Sequence, residues 1–163
     1  MPVPFRVGIG VDAHRFVDGR PLVLGGVVIS HPQGLEAHSD GDVLSHAILD
    51  AMLGAANAGD KGKLFPPSDP AYKDVKSTEL LHKAMIAISR MGYEIGNVDV
   101  SVMCEEPRIG PHREEMCEAI ATALGIHTSQ VSIKGTTLER MGFTGRKEGI
   151  AALATVLLTK QND

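Results

Sequence analysis

Asp12 and His14 stand two residues apart at the end of a run in which Phe5, Val7, Ile9 and Val11 alternate with Arg6, Gly8 and Gly10. In extended backbone, residues i and i+2 point the same way, so a carboxylate and an imidazole converge. Both are ordinary ligands of a borderline divalent cation, though the pair alone also reads as a turn aspartate followed by a surface histidine. A second group is His38-Ser39-Asp40-Gly41-Asp42, followed by His46 and Asp50. Asp42, His46 and Asp50 fall at i, i+4 and i+8 and share one stripe of a helix. The rest of that helix, Val43 to Leu53, is apolar almost all round, which predicts burial. A buried polar stripe needs partners. They can be internal, with Asp42 capping the helix and His46 bonded to Asp50. Alternatively Asp12, His14 and His46 make a three-ligand set that leaves one place for substrate or water, the count of a catalytic zinc site.

A third region, Lys134 to Arg146, puts Thr136, Thr137, Glu139, Arg146 and three glycines after an expected strand. Hydroxyls and free backbone N–H groups hold phosphate oxygens, a carboxylate can hold Mg²⁺ beside them, and Arg146 offers a bidentate phosphate contact. The segment also reads as a glycine-rich surface loop with solvated charges. Two apparent phosphate motifs are set aside. The run from Gly8 to Ala13 fits G-x-G-x-x-A, but that motif must open a helix and His14 to Pro21 reads as a loop. After Gly54-x4-Gly59, Asp60 stands where a phosphate-binding loop needs Lys.

The elements that must position these groups follow from periodicity and punctuation. Phe5 to Val11 is expected to be a strand with one buried face, Pro21 to Ile29 a hairpin about Gly25-Gly26, and the segment after Asp42 a helix to about Ala56. A loop, Asn57 to Lys76, precedes a helix with Ser77 as N-cap, which stops at Gly92. Val98, Val100 and Val102 mark a strand, Pro111 the first turn of a helix ending at Gly125, and Val131, Ile133 and Ile150 to Leu158 two further strands. This is the pattern of a single α/β (α+β) domain over residues 1–163. A layered sheet carries helices on one face, in a split β-α-β order.

Composition excludes several classes. A net charge of −4 with no long Lys/Arg cluster, and 4% aromatics with no Trp, leave little for a nucleic acid. Apolar runs fall short of the ~20 residues of a membrane span. Two cysteines make no disulfide framework. The N-terminal segment from Met1 to Arg6 lacks the apolar core of a signal peptide, so a cytoplasmic setting is expected, or an organelle of plastid type after removal of a leader.

Taken together, these residues resemble the 2-C-methyl-D-erythritol 2,4-cyclodiphosphate synthase family. The resemblance rests on Ser39-Asp40-Gly41-Asp42 with His46, Asp50 and Ala51, on Asp12-x-His14, and on Gly59-Asp60-x-Gly62 with Phe65-Pro66. Asn97-Val98-Asp99 and Gly142-Phe143-Thr144-Gly145-Arg146 extend it along nearly the whole chain. It implies a ferredoxin-like core, a homotrimer with active sites between subunits, and closure of a cytidine diphosphate substrate to a cyclic diphosphate with loss of CMP. By the same resemblance Asp12, His14 and His46 hold Zn²⁺, Glu139 holds Mg²⁺ or Mn²⁺, and His38 and Thr137 stabilise the transition state. Ser39 then lies beside the phosphate. Asp60, Lys61, Gly62, Phe65, Pro66, Pro67, Ser68, Asp69, Phe143 and Arg146 contact the rest of the substrate. Cys104, Glu105, Glu106, Pro107, Arg108, Ile109, Gly110, Thr136 and Thr137 hold the nucleotide from a neighbouring subunit, and Asp42 and Asp50 support the ligands from behind. Glu105, Glu106, Arg108, Gly110 and Gly135 depart from the family pattern, and Gly110 and Gly135 suggest looser nucleotide packing. Two rival readings are a binding protein without turnover and a metal-dependent phosphohydrolase.

Overall fold

The computed structural model describes residues 3–161, so Met1 and Pro2 of the N-terminal segment lie outside the described residues. Seven strands and five helices follow in chain order: β1 (Phe5–Val17), β2 (Leu22–Leu24), β3 (Val27–Ile29), β4 (Gly34–Leu35), α1 (Val43–Ala56), α2 (Lys61–Leu64), α3 (Ser77–Arg90), β5 (Tyr93–Met103), α4 (Arg113–Leu124), β6 (Val131–Thr136), α5 (Gly142–Gly145) and β7 (Gly149–Lys160). The main sheet has the order β4-β1-β7-β5-β6, with β7 antiparallel to both β1 and β5 and β6 parallel to β5. The parallel pair is joined through α4, as parallel strands require a crossover. Helices α1, α3 and α4 cover one face, and Leu44, Ile48, Met52, Leu81, Ile88, Met116 and Ile120 are fully buried beneath them. Among the described residues no helix is long and apolar enough to cross a membrane.

Five expectations need correction. A ferredoxin-like core runs β-α-β-β-α-β, whereas β1, β5, β6 and β7 with their helices run β-α-β-α-β-β. The last strand enters between β1 and β5 because β7, mostly small and apolar, can be sandwiched at the centre of the sheet. The alternation in β1 is inverted. Val7, Ile9 and Val11 are 63%, 65% and 59% exposed, while Gly8 and Gly10 face α1. Helix α1 lies so close that a Cβ on either glycine would sit 1.9 Å from a carbonyl oxygen of the helix, that of Ala51 or Ala47. Strand β1 also continues through His14 to Val17, since His14 and Arg15 still pair with β7 and Phe16 and Val17 pair with β4. Lys76, not Ser77, is the N-cap of α3, because Ser77 turns its hydroxyl to Asp40. The long loop holds the short helix α2 and a 3₁₀ turn at Pro70–Tyr72.

The expected hairpin forms, and its turn is tied to α1. Gly25 and Gly26 both have positive φ, 58° and 76°, a conformation glycine adopts without strain. Their N–H groups donate to the fully buried Asp42 carboxylate at 2.9 and 2.8 Å. The same carboxylate accepts from Ser45 N at 3.1 Å and Ser45 Oγ at 2.6 Å, capping the helix. Burial, with the Asp40 charge nearby, pushes the Asp42 carboxyl up despite the hydrogen bonds from Ser45 and Gly25. Alanine at position 42 leaves buried N–H donors unpaired and removes the cap. The expected loss is about 3 kcal/mol of stability, read as a lower midpoint in chemical denaturation. A midpoint equal to that of the parent would contradict this anchoring role.

Candidate functional site

Strand β1 presents Asp12 and His14 on one side, and α1 crosses behind them with His46. His14 Nε2 lies 2.8 Å from Asp12 Oδ2, His46 Nδ1 lies 2.9 Å from the same oxygen, and the two ring nitrogens are 3.0 Å apart. Among the described residues this is the one group of three whose ligand atoms all lie within 4.8 Å of one another. His46 is buried, and Asp12 and His14 are half-buried. Three atoms that each carry a lone pair, crowded to about van der Waals contact or closer, are a poor arrangement without a positive charge between or upon them. A divalent cation supplies that charge, and a carboxylate with two imidazoles is a donor set that suits zinc. The residues present therefore fit the group.

The electrostatics point the same way. Burial pushes the Asp12 carboxyl up, but the close His14 and His46 rings and the Lys61 charge outweigh it, holding the group well below the usual carboxylate range. Lys61 Nζ bridges Asp12 Oδ1 at 3.0 Å and Asp50 Oδ2 at 3.3 Å, and Lys61 N donates to Asp50 Oδ1 at 3.2 Å. Asp50 therefore reaches the triad through Lys61 and not through His46. Nor does the Asp42 carboxylate touch a ligand side chain, its partners being the β2–β3 turn and Ser45. The Nε2 atom of His46 faces Ser39 Oγ at 3.0 Å and Ser77 Oγ at 2.9 Å, so the internal His46–Asp50 bond does not form.

The triad opens into a cleft of about 500 Å³ whose walls include His38, Ser39, Asp50, Asp60, Lys61, Gly62, Phe65 and Pro67. Phe65 packs edge-on against Tyr72 with ring centroids 5.4 Å apart, giving this cleft an apolar end opposite the charged one. Pro66, Ser68 and Asp69 do not line it. Asp69 instead holds the following 3₁₀ turn by accepting from Ala71 N at 2.9 Å. A separate cleft of about 600 Å³ is walled by Cys104, Glu105, Pro107, Arg108, Ile109, Gly110, Thr136 and Thr137. His38 and Thr137 thus line different clefts of one chain. Glu106 turns outward to Lys147 at 2.9 Å. Glu139, with φ 53°, lies beside Thr137 and within 3.4 Å of its hydroxyl. Phe143 and Arg146 line neither cleft, and Arg146 pairs with Glu148 at 3.1 Å.

Two details concern the second cleft. Gly135 leaves no gap: a Cβ there would lie 2.8 Å from the Ile109 side chain, which already fills the space. Cys104 is buried with Sγ 3.4 Å from the Pro107 carbonyl, and burial together with the Glu105 charge pushes its thiol up to about 11. That is a packing residue and not a nucleophile.

Sequence reasoning missed three contributors. Ser77 was assigned to a helix cap, and no local signal connects it to His46, 31 residues earlier. Arg20 clamps the loop that carries His38 by donating to the carbonyls of Ala37, at 2.6 Å, and Ser39. Tyr72 completes the apolar end of the first cleft. An arginine and a tyrosine in polar segments carry no periodicity that could have marked them.

Comparison with known proteins gives consistent results. A family model described as the YgbB family matches residues 5–159. The 2-C-methyl-D-erythritol 2,4-cyclodiphosphate synthase of Porphyromonas gingivalis is 50% identical over 97% of this chain and 98% of its own. The bifunctional IspDF from Campylobacter jejuni superposes with a TM-score of 0.93 at 42% identity; the match covers 97% of this chain and 43% of that longer one. The CDP complex of Plasmodium falciparum IspF gives a TM-score of 0.86 at 37% identity, covering 99% of this chain and 100% of the other.

Proposed function

Because the chain belongs to the YgbB family, we propose that it converts 4-diphosphocytidyl-2-C-methyl-D-erythritol 2-phosphate to 2-C-methyl-D-erythritol 2,4-cyclodiphosphate and CMP, a phosphorus–oxygen lyase step of the non-mevalonate route to isoprenoids. The name of the 50%-identical relative supports the product, and the solved CDP complex supports a cytidine diphosphate ligand. The observation that carries the reading is the Asp12–His14–His46 triad opening into a cleft that also holds His38, Ser39 and Lys61.

An oxygen of the substrate's 2-phosphate attacks the β-phosphorus, the bond from that phosphorus to the bridging oxygen breaks, and CMP leaves with the oxygen. Because the nucleophile is part of the substrate, the protein needs no activated Ser, Cys or Lys. Its task is to fold the substrate into an attack geometry and to offset phosphate charge. Asp12, His14 and His46 would hold Zn²⁺, and Glu139 would hold Mg²⁺ or Mn²⁺ against the diphosphate. When bound, such ions supply Lewis-acid polarisation of phosphoryl oxygens. His38 and Ser39, held in place by the Arg20 clamp on their loop, face the phosphates. Phe65, Pro67 and Gly62 enclose the branched carbon chain, and the Cys104–Gly110 segment with Thr136 and Thr137 takes the cytidine.

The separation of the two clefts within one chain supports a site completed by a second copy. Val7, Ile9 and Val11 offer the apolar surface for it, and a homotrimer closes such a heterologous contact into a ring. Glutamine at position 139 removes the charge that would hold the second ion. The expected result is a lower rate, with the concentration of Mg²⁺ or Mn²⁺ needed for half-maximal rate raised about tenfold or more. An unchanged rate and metal titration would contradict the assignment.

The experiment that tests the function incubates purified protein with the cytidyl diphosphate substrate, Zn²⁺ and Mg²⁺, and follows products by ³¹P NMR. Equimolar CMP and cyclic diphosphate, abolished by a chelator, are expected. A linear, hydrolysed diphosphate would replace this reading with a metal-dependent phosphohydrolase, and unchanged substrate would replace it with a binding protein.

A further inference from the structure

Ser77 sits in the first turn of α3, 1% exposed, with its hydroxyl oxygen 2.9 Å from His46 Nε2. The same hydroxyl contacts Asp40 Oδ1, and Ser77 N donates to Asp40 Oδ2 at 3.0 Å. Asp40 Oδ1 also accepts from Asp42 N at 3.1 Å. Every contact of this carboxylate is with a donor, and a carboxylate only accepts. The single Ser77 hydroxyl proton is therefore directed at Asp40, leaving only lone pairs toward the imidazole. Nε2 must then be the donor of that contact. A neutral ring with its proton on Nε2 carries its lone pair on Nδ1, the nitrogen that lies 2.9 Å from Asp12 and 3.0 Å from His14.

We infer that Asp40 and Ser77 form a relay that fixes the tautomer and ring orientation of His46, and so sets the affinity of the Asp12–His14–His46 centre for its cation. Both are positioning residues, acting through His46. Ser39, the other oxygen near Nε2, lacks a carboxylate of this kind to turn its proton away; its further hydrogen bond is a 3.4 Å contact from Gly41 N. Ser77 is thus the oxygen whose polarity is dictated. The relay lies behind the imidazole on the side away from the ligand atoms, where a hydrogen-bond acceptor raises the basicity of a ligating histidine and holds its plane. The inference deepens the proposed metal centre and rests on it.

The test is a competition titration of Zn²⁺ between metal-free protein and a chromophoric chelator. In Ser77→Ala the zinc dissociation constant is expected to rise 10- to 100-fold. In zinc-loaded parent protein, the His46 Nε2 proton is expected as a slowly exchanging NMR resonance that Ser77→Ala loses. A residue that merely starts α3 would lower the unfolding midpoint and leave both readings unchanged, and that result would overturn the relay. Asp40→Asn, whose amide N–H can donate to the Ser77 oxygen and turn its proton toward His46, is expected to weaken zinc in the same direction. It stands in for Ser77→Ala should that variant not fold. Parent protein that takes up no zinc would sink the metal centre and the relay with it; normal uptake with unchanged variants would sink the relay alone.

Discussion

With alanine in place of His46, turnover is expected to fall by at least about a thousandfold while the subunit stays folded. The imidazole supplies one of three protein ligand atoms, and its Nδ1 is the atom that brings α1 into a centre otherwise built on β1. In the proposed centre, the two ligands left on one strand would hold a cation too weakly to keep it at micromolar concentration. Losing the polarisation it supplies costs several kcal/mol of transition-state stabilisation, and about 4 kcal/mol is roughly a thousandfold in rate. Folding survives because alanine is the strongest helix former and His46 lies at the site end of a helix whose other buried residues, Ser45 apart, are apolar. Zinc content by elemental analysis and a far-ultraviolet spectrum should therefore separate. Metal-depleted variant protein that turns over like the parent would remove His46 from the centre.

A methyl group at Gly10 has the second large effect, and it acts on stability. A Cβ there would lie 1.9 Å from the Ala47 carbonyl oxygen and 2.7 Å from Ala51 N, both backbone atoms of α1. A rotamer change cannot relieve this clash, so the helix must move away from the sheet. Overpacking of this kind costs about 3 kcal/mol, or roughly 10 °C in the unfolding midpoint for a chain of this size. The same displacement pulls His46 from Asp12 and His14, so zinc affinity should fall with stability. Gly54→Ala, on α1 itself, is the contrast: the nearest atom to its Cβ is Ile9 O at 4.0 Å. That substitution is expected to be neutral or to stabilise by up to about 1 kcal/mol through helix propensity. Equal midpoints for the two variants would show that β1 and α1 are not as closely apposed as the structure has them.

The positions of α1, α3, α4 and the hairpin were legible because their apolar residues recur at the helical period or bracket two adjacent glycines, and these signals are local. So was the Asp12–His14 pair, which needs only extended backbone to converge. The inverted face of β1 was not legible. Alternation tells which residues share a face but not which face another element covers, and here the glycines face the helix because α1 comes too close for a side chain. The place of β7 was hidden for a related reason, since an apolar strand is compatible with any central position and pairing is decided by the other strands. Ser77, Asp40 and Arg20 reach the site through contacts between segments distant in the chain, and polar residues in loops carry no period. The separation of His38 from Thr137 into different clefts is likewise a property of the folded chain.

Strand β1 is aligned against β7 residue by residue, Asp12 opposite Ala152 and His14 opposite Ile150. A chain made from its N-terminus therefore carries all three cation ligands long before it carries the strand that keeps β1 extended. Until residues 149–160 have left the ribosome, β1 has as strand partner only β4, paired at Phe16 and Val17 beyond the two ligands. The strand that completes this pairing is thus made after Asp12, His14 and His46. A chain halted before residues 149–160 would hold all three cation ligands, with Asp12 and His14 on a strand that lacks its longest pairing.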